Sequence, residues 1–229
     1  MRVNPVVRTL LSLLLYAGIY YLIFKDTQSI VLLLAVIIVH ELGHFIAMRS
    51  FGYTNVRMMF IPMFGAFVSG QPAAIDPGKK MVVLFAGPLP GIILGMISAY
   101  LYSINQEHIF YLLALMFIFL NVFNLLPLTP MDGGQILGVL FPHHSRWVQT
   151  LFIVLSSIAL GLAAYVTRNY LLIFLVLLMW LRLAALWRPA RTEVEPDFDK
   201  ELTDLQRLYY TIIWLGFMVL PIITLYKIT

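Results

Sequence analysis

Residues 30–48 read IVLLLAVIIVHELGHFIAM, nineteen positions that are apolar apart from Gly43 and the polar trio His40, Glu41 and His44. A membrane-spanning helix needs about 20 predominantly apolar residues, so the run can serve as one. Six further runs have the same character, at 9–24, 81–102, 108–126, 147–166, 170–187 and 208–226. Of 229 residues 61% are hydrophobic and only 11% charged, whereas soluble domains carry about 25% charged residues. That composition excludes a cytosolic globular enzyme, a disordered tail and a coiled coil. The absence of cysteine removes disulfides and thiolate chemistry. The expected fold is an all-α polytopic membrane protein of about seven transmembrane helices. Residues 50–80 are too rich in Gly and Pro for a helix, and 60–70 read FIPMFGAFVSG. Irregular backbone enters a membrane only where protein or a water-filled cavity covers it, so a short re-entrant β-like hairpin is expected near residues 60–70.

The charges fix an orientation. With the amino terminus in the cytoplasm and seven alternating spans, twelve basic residues fall inside: Arg2, Arg8, Arg49, Arg57, Lys79, Lys80, Arg146, Arg182, Arg188, Arg191, Lys200 and Arg207. Only Lys25, Arg168 and Lys227 fall outside, which satisfies the positive-inside rule. The net charge of +4 therefore reads as membrane orientation and not as nucleic-acid binding. The first run, followed directly by Lys25 and Asp26, lacks a cleavage region and reads as a retained helix. The expected organisation is a first span and loop (1–29), a membrane core (30–140) and additional spans (141–229), with a charged cytoplasmic linker at 188–207.

Ionisable groups at membrane depth are costly, so each needs a reason. Of eleven acids, only Glu41 and Asp132 sit toward the ends of apolar spans. His40 and His44 are four residues apart, and one helical turn stacks them on a single face. Two such imidazoles can bind one zinc, and Glu41 can act as general base toward a water there. A catalytic zinc usually takes three protein ligands. Residues 124–134, NLLPLTPMDGG, offer the third: Pro127 and Pro130 break the helix, and Asp132 can then project sideways. Asp132 could also cap the helix that starts near Gly133, and both roles can hold together. The charge pattern puts this loop and His44 on the same cytoplasmic side.

HELGH at 40–44 and NLLPLTPMDGG at 124–134 together resemble the site-2 protease family of intramembrane zinc metalloproteases, whose pattern N-x-x-P-x-x-x-x-D-G is met by Asn124, Pro127, Asp132 and Gly133. The resemblance covers roughly residues 30–140. It implies one zinc per chain, held by His40, His44 and Asp132, with Glu41 as catalytic acid/base. It extends to Gly87-Pro88-Leu89-Pro90-Gly91, similar to the family's G-x-x-x-(N/S/G) element. Gly65, Ala66, Phe67 and Val68, preceded by Phe64, are similar to its glycine-aromatic strand beside the active site. The last three spans carry no matching motif, and no stretch is long enough for a PDZ domain or a CBS pair. Asn121 and Asn124 lie one turn apart. Asn124 is read as a hydrogen-bond donor to substrate or to a developing oxyanion, or as a tie across the broken helix. His108, His143 and His144 read as interfacial, and Arg182 as snorkelling.

The expected activity is zinc-dependent cleavage of transmembrane segments in or near the bilayer. The expected partners are transmembrane protein substrates, membrane lipid and a regulatory membrane partner. The active-site opening should face the cytoplasm. Two alternatives stand beside this one. A proton- or metal-coupled transporter would use the same four residues as a relay, without bound zinc. A non-catalytic zinc-binding scaffold would keep the zinc but tolerate loss of Glu41.

Overall fold

The computed structural model describes residues 5–61, 65–72, 76–142, 144–168, 170–187 and 201–228. His143 and most of the charged linker, 188–200, lie outside the described residues. In chain order the elements are α1 (Pro5–Phe24), α2 (Thr27–Ser50), β1 (Thr54–Ile61), β2 (Gly65–Gln71), α3 (Pro77–Ala86), α4 (Pro88–Asn105), α5 (His108–Asn124), α6 (Asp132–Leu140), α7 (Ser145–Thr167), α8 (Tyr170–Leu186) and α9 (Asp204–Tyr226). They form two compact units, Met1–Leu125 with Phe198–Thr229, and Leu126–Asp197.

Among the described residues, four helical stretches are long and apolar enough to cross a membrane: Thr27–Ser50, Pro77–Asn105, Ser145–Thr167 and Asp204–Tyr226. The other three expected spans correspond to shorter apolar helices, at Val7–Leu22, His108–Asn124 and Val176–Leu186. Large apolar side chains such as Leu22, Val166 and Tyr226 stay exposed, as lipid-facing residues do.

In the first unit, local chemistry sets the helix ends. Asp26 caps α2, its carboxylate accepting from Gln28 N–H at 3.1 Å. A hydrogen bond from the Ser29 side chain holds the Asp26 carboxyl below its ordinary value, so the cap is charged at neutral pH. Asp76 caps α3 in the same way, accepting from Lys79 N–H at 2.8 Å, with Pro77 in the first turn. Thr203 and Gln206 form a capping box at the start of α9. The expected span 81–102 starts earlier and is divided: α3 ends at Gly87, and Pro88 opens α4. Proline lacks an N–H and suits a helix start, so the chain re-initiates there.

The expected hairpin is present as a two-stranded antiparallel sheet. It is longer than residues 60–70, because β1 begins at Thr54. Met59 pairs with Phe67 and Phe60 with Ala66. The outer edge of β1 is covered by α1: Thr9 Oγ1–H donates to Met58 O at 2.7 Å, and Phe60 N–H donates to Ser12 Oγ at 3.2 Å. Tyr16, Ile37 and Phe60 form a buried cluster that joins α1, α2 and β1. Edge strands invite further pairing, and this one is occupied by hydroxyls.

In the second unit the loop after Leu125 leads into α6. Thr129 is held by Gln149 of α7, whose side-chain oxygen accepts from Thr129 N–H at 3.3 Å and from its hydroxyl at 3.1 Å. Gln149 is buried, so its polar end needs such partners. A Cβ on Gly134 would run into the Leu128–Thr129 backbone, which accounts for glycine there. The α7–α8 pair is tied by Trp187 Nε1–H donating to Thr150 Oγ1 at 2.9 Å.

Candidate metal centre

Helix α2 is apolar around most of its surface, yet its buried positions include His40, Glu41 and His44 beside Val36 and Ile37. Spacing of three and four residues puts all five on one stripe. That stripe faces the interior of the first unit, where α2 packs on α3, α4, α5 and both strands. Close approach is possible because residue 43 is glycine: a Cβ there would overlap the backbone carbonyl of Ala86. A Cβ on Gly87 would likewise overlap the His44 ring. Small residues at such crossings let backbones approach within membranes.

The hydrogen bonds assign both imidazole tautomers. His44 Nδ1 lies 2.8 Å from Val83 O, and a carbonyl only accepts, so Nδ1 carries the proton. Asn121 Nδ2–H donates to Phe117 O at 2.7 Å. That bond orients the amide, so its oxygen is the atom 2.8 Å from His40 Nδ1. His40 Nδ1 therefore also carries its proton, an assignment made from the network. In the neutral rings Nε2 is then the acceptor nitrogen of each, and the two Nε2 atoms face each other 3.2 Å apart. Two acceptor nitrogens at that distance repel each other unless a proton or a metal ion lies between them. Two nitrogens on a tetrahedral zinc, each at about 2.0–2.1 Å, stand about 3.3–3.4 Å apart. The donor pair therefore fits zinc, and its second nitrogens are engaged by protein acceptors, as in metal sites generally.

The other expected residues fall in several places. Glu41 is buried between the two histidines in sequence, on the same stripe of α2. Asp132 belongs to the second unit, where it is the first helical residue of α6 and is buried. The N-cap of α6 is Met131, so the capping reading of Asp132 does not hold. Gly65, Ala66, Phe67 and Val68 lie on β2, the strand pair against which α2 packs. Asn124 ends α5, is partly exposed, and its side chain makes no hydrogen bond among the described residues. Asn121, three residues earlier and fully buried, makes the contact to His40.

A profile of peptidase family M50 matches residues 28–108 and 102–165. The chain belongs to peptidase family M50. The match runs past residue 140 into α7, further than the motifs reach. A zinc metalloprotease of Methanocaldococcus jannaschii is 30% identical over 112 residues, covering 47% of this chain and 32% of that protein. The stage IV sporulation protein FB of Bacillus subtilis is 32% identical over 122 residues, covering 50% of this chain and 40% of that protein. The chain thus spans well under half the length of these curated relatives. Among solved structures, a site-2 protease from Methanocaldococcus jannaschii shares the fold, with a TM-score of 0.51 and 21% identity over 80% of this chain and 89% of that one. Family membership and the four long apolar helices identify an integral membrane protein of site-2 protease fold.

Proposed function

We propose that this chain is an intramembrane zinc metalloprotease that cleaves transmembrane segments of membrane proteins in or near the bilayer. The observation that carries the reading is the pair of Nε2 atoms 3.2 Å apart, the spacing of two nitrogens on one zinc, with Glu41 buried on the same helix stripe. His40, His44 and Asp132 are the proposed ligands of one zinc, and Asp132 is supported by its burial at the first turn of α6. When bound, zinc supplies a Lewis acid that polarises a carbonyl and lowers the pKa of water to about 7. Glu41 takes the proton of the attacking water on its carboxylate and passes it to the leaving amine. Burial of Glu41 removes bulk water from the proton path and keeps that proton local.

A substrate helix has its backbone paired internally, so it must unwind before attack. Strand β2 is the proposed docking edge, through Gly65, Ala66, Phe67 and Val68, by addition of an extended strand. The edge of β1 is already covered by Thr9 and Ser12, which favours β2 for the added strand. Asn124 is the proposed polar contact to substrate. Seven spans, with the amino terminus and the active-site opening in the cytoplasm, complete the proposal. So does the division at 1–29, 30–140 and 141–229, with membrane lipid and a regulatory membrane partner around it. The transporter and scaffold alternatives are disfavoured by membership of a peptidase family.

Co-expression of the wild type and of Glu41→Gln with tagged single-span proteins tests the reading. Shortened products with the wild type alone support it. Equal products from both, or none across a broad substrate panel, refute it.

A further inference from the structure

Gly87, the N-cap of α4, and Gly91 and Gly95 within that helix recur at four-residue intervals, and each meets a different group. A Cβ on Gly87 would overlap the His44 ring, one on Gly91 the Asn121 amide, and one on Gly95 the Ile118 side chain. The middle contact is the unusual one, because Asn121 is a fully buried amide inside the apolar helix α5. A buried amide in such a setting costs several kcal/mol unless its polar atoms are paired. Both ends of Asn121 are paired, and the pairing has a direction. Its nitrogen is committed to Phe117 O within its own helix, which turns its oxygen toward His40 Nδ1 at 2.8 Å.

We infer that Asn121, seated against Gly91, is the positioning residue of the metal centre, holding His40 in the Nδ1–H tautomer with Nε2 presented to the metal. This rests on the zinc reading above. It also gives the Gly87–Gly91 element a physical purpose: Gly87 leaves room for the His44 ring and Gly91 for the amide that sets His40. Asn121 touches neither metal nor substrate and acts only through His40. The short asparagine side chain reaches His40 only if α5 lies close to α2, and Gly91 lets α4 pack against the same amide without displacing it. Any side chain at 91 would push the amide off the imidazole. Without the acceptor, His40 loses its fixed ring orientation and populates the other tautomer, in which Nε2 carries the proton and cannot ligate. Outer-sphere partners of metal-bound histidines typically contribute 10–100-fold in metal affinity.

The test measures zinc affinity of the purified full chain in detergent, by competition with a chelator, alongside the thermal transition of each metal-free protein. Asn121→Leu keeps the volume and removes the acceptor, and it should bind zinc about 10–100-fold more weakly than wild type. Asn121→Asp keeps an acceptor for the imidazole N–H and should restore affinity to within about threefold or better, as carboxylate–histidine–zinc arrangements do. A purely structural role would lower the melting temperature of both variants and would not produce this rescue. Gly91→Ala should weaken zinc as Asn121→Leu does, and it carries the test if the leucine variant fails to fold. Affinity within twofold of wild type in folded Asn121→Leu or Gly91→Ala overturns the inference while leaving the zinc reading intact. A wild type that holds no zinc, with no response to His40→Ala or His44→Ala, overturns both.

Discussion

Gly87→Ala separates packing of the metal centre from packing of the fold. Gly87 has φ −67° and ψ −63°, helical values that alanine adopts freely, so the backbone is not strained. Alanine is favoured over glycine in helices by about 1 kcal/mol. The new methyl would overlap the His44 ring, and the ring must move away from Val83 O, which it now meets at 2.8 Å. A carbonyl left without its partner costs about 1–3 kcal/mol. The net effect on folding is therefore about 0–2 kcal/mol of destabilisation. His44 is a proposed ligand, and its displacement should weaken zinc by at least about tenfold, the lower bound for losing an outer-sphere support alone. Gly18→Ala, where a Cβ meets nothing within 4 Å, serves as the control and should match wild type. Zinc affinity by chelator competition and thermal denaturation in detergent give both numbers. Wild-type zinc affinity in folded Gly87→Ala would refute the placement of His44 against α4.

Three further outcomes are expected. Trp214→Phe keeps an aromatic ring but removes the indole N–H that donates to Leu125 O at 2.9 Å, so thermal denaturation should show about 1–3 kcal/mol lost, and a change below about 0.5 kcal/mol would contradict the tie between α9 and the end of α5. Asp132→Ala should lower zinc content by elemental analysis, and full occupancy would remove that carboxylate from the ligand set. Reporter fusions after residue 24, within 103–107 and at 168 should read as outside, and fusions near 79 and 199 as cytoplasmic. A cytoplasmic signal from 103–107 would overturn the seven-span orientation.

The apolar runs and HELGH were legible because both signals are local: hydropathy over twenty residues, and a histidine pair set by one helical turn. The break between α5 and α6 was legible for the same reason, since Pro127 and Pro130 cannot continue a helix. The choice between Asn121 and Asn124 was not. Both lie on α5 one turn apart, and only the packing of α2 against α5 decides which amide reaches His40. The clue present in sequence was depth, since Asn121 sits further inside the apolar run while Asn124 stands at its end. The break at Gly87 was hidden because 81–102 reads as one hydrophobic run, although Gly87-Pro88 is a dipeptide that ends one helix and starts another. The cover that Thr9 and Ser12 give to β1 could not be read at all. It joins positions 48 and 49 residues apart through hydroxyls that look, in sequence, like ordinary span residues.

The central claim is that Glu41 is the base at a zinc held by its neighbours. The direct measurement is cleavage of a membrane-embedded substrate in vesicles, with zinc content read on the same preparation, for wild type and Glu41→Gln. Glutamine keeps the size and hydrogen bonding of the side chain and removes only its basicity and charge. The account predicts one zinc per chain in both proteins, with cleavage in the variant lower by about 10²–10⁴-fold or more. It predicts also that wild-type cleavage stops when the zinc is chelated and returns when zinc is added back. Wild-type cleavage by zinc-loaded Glu41→Gln, or undiminished cleavage by metal-free wild type, would contradict it.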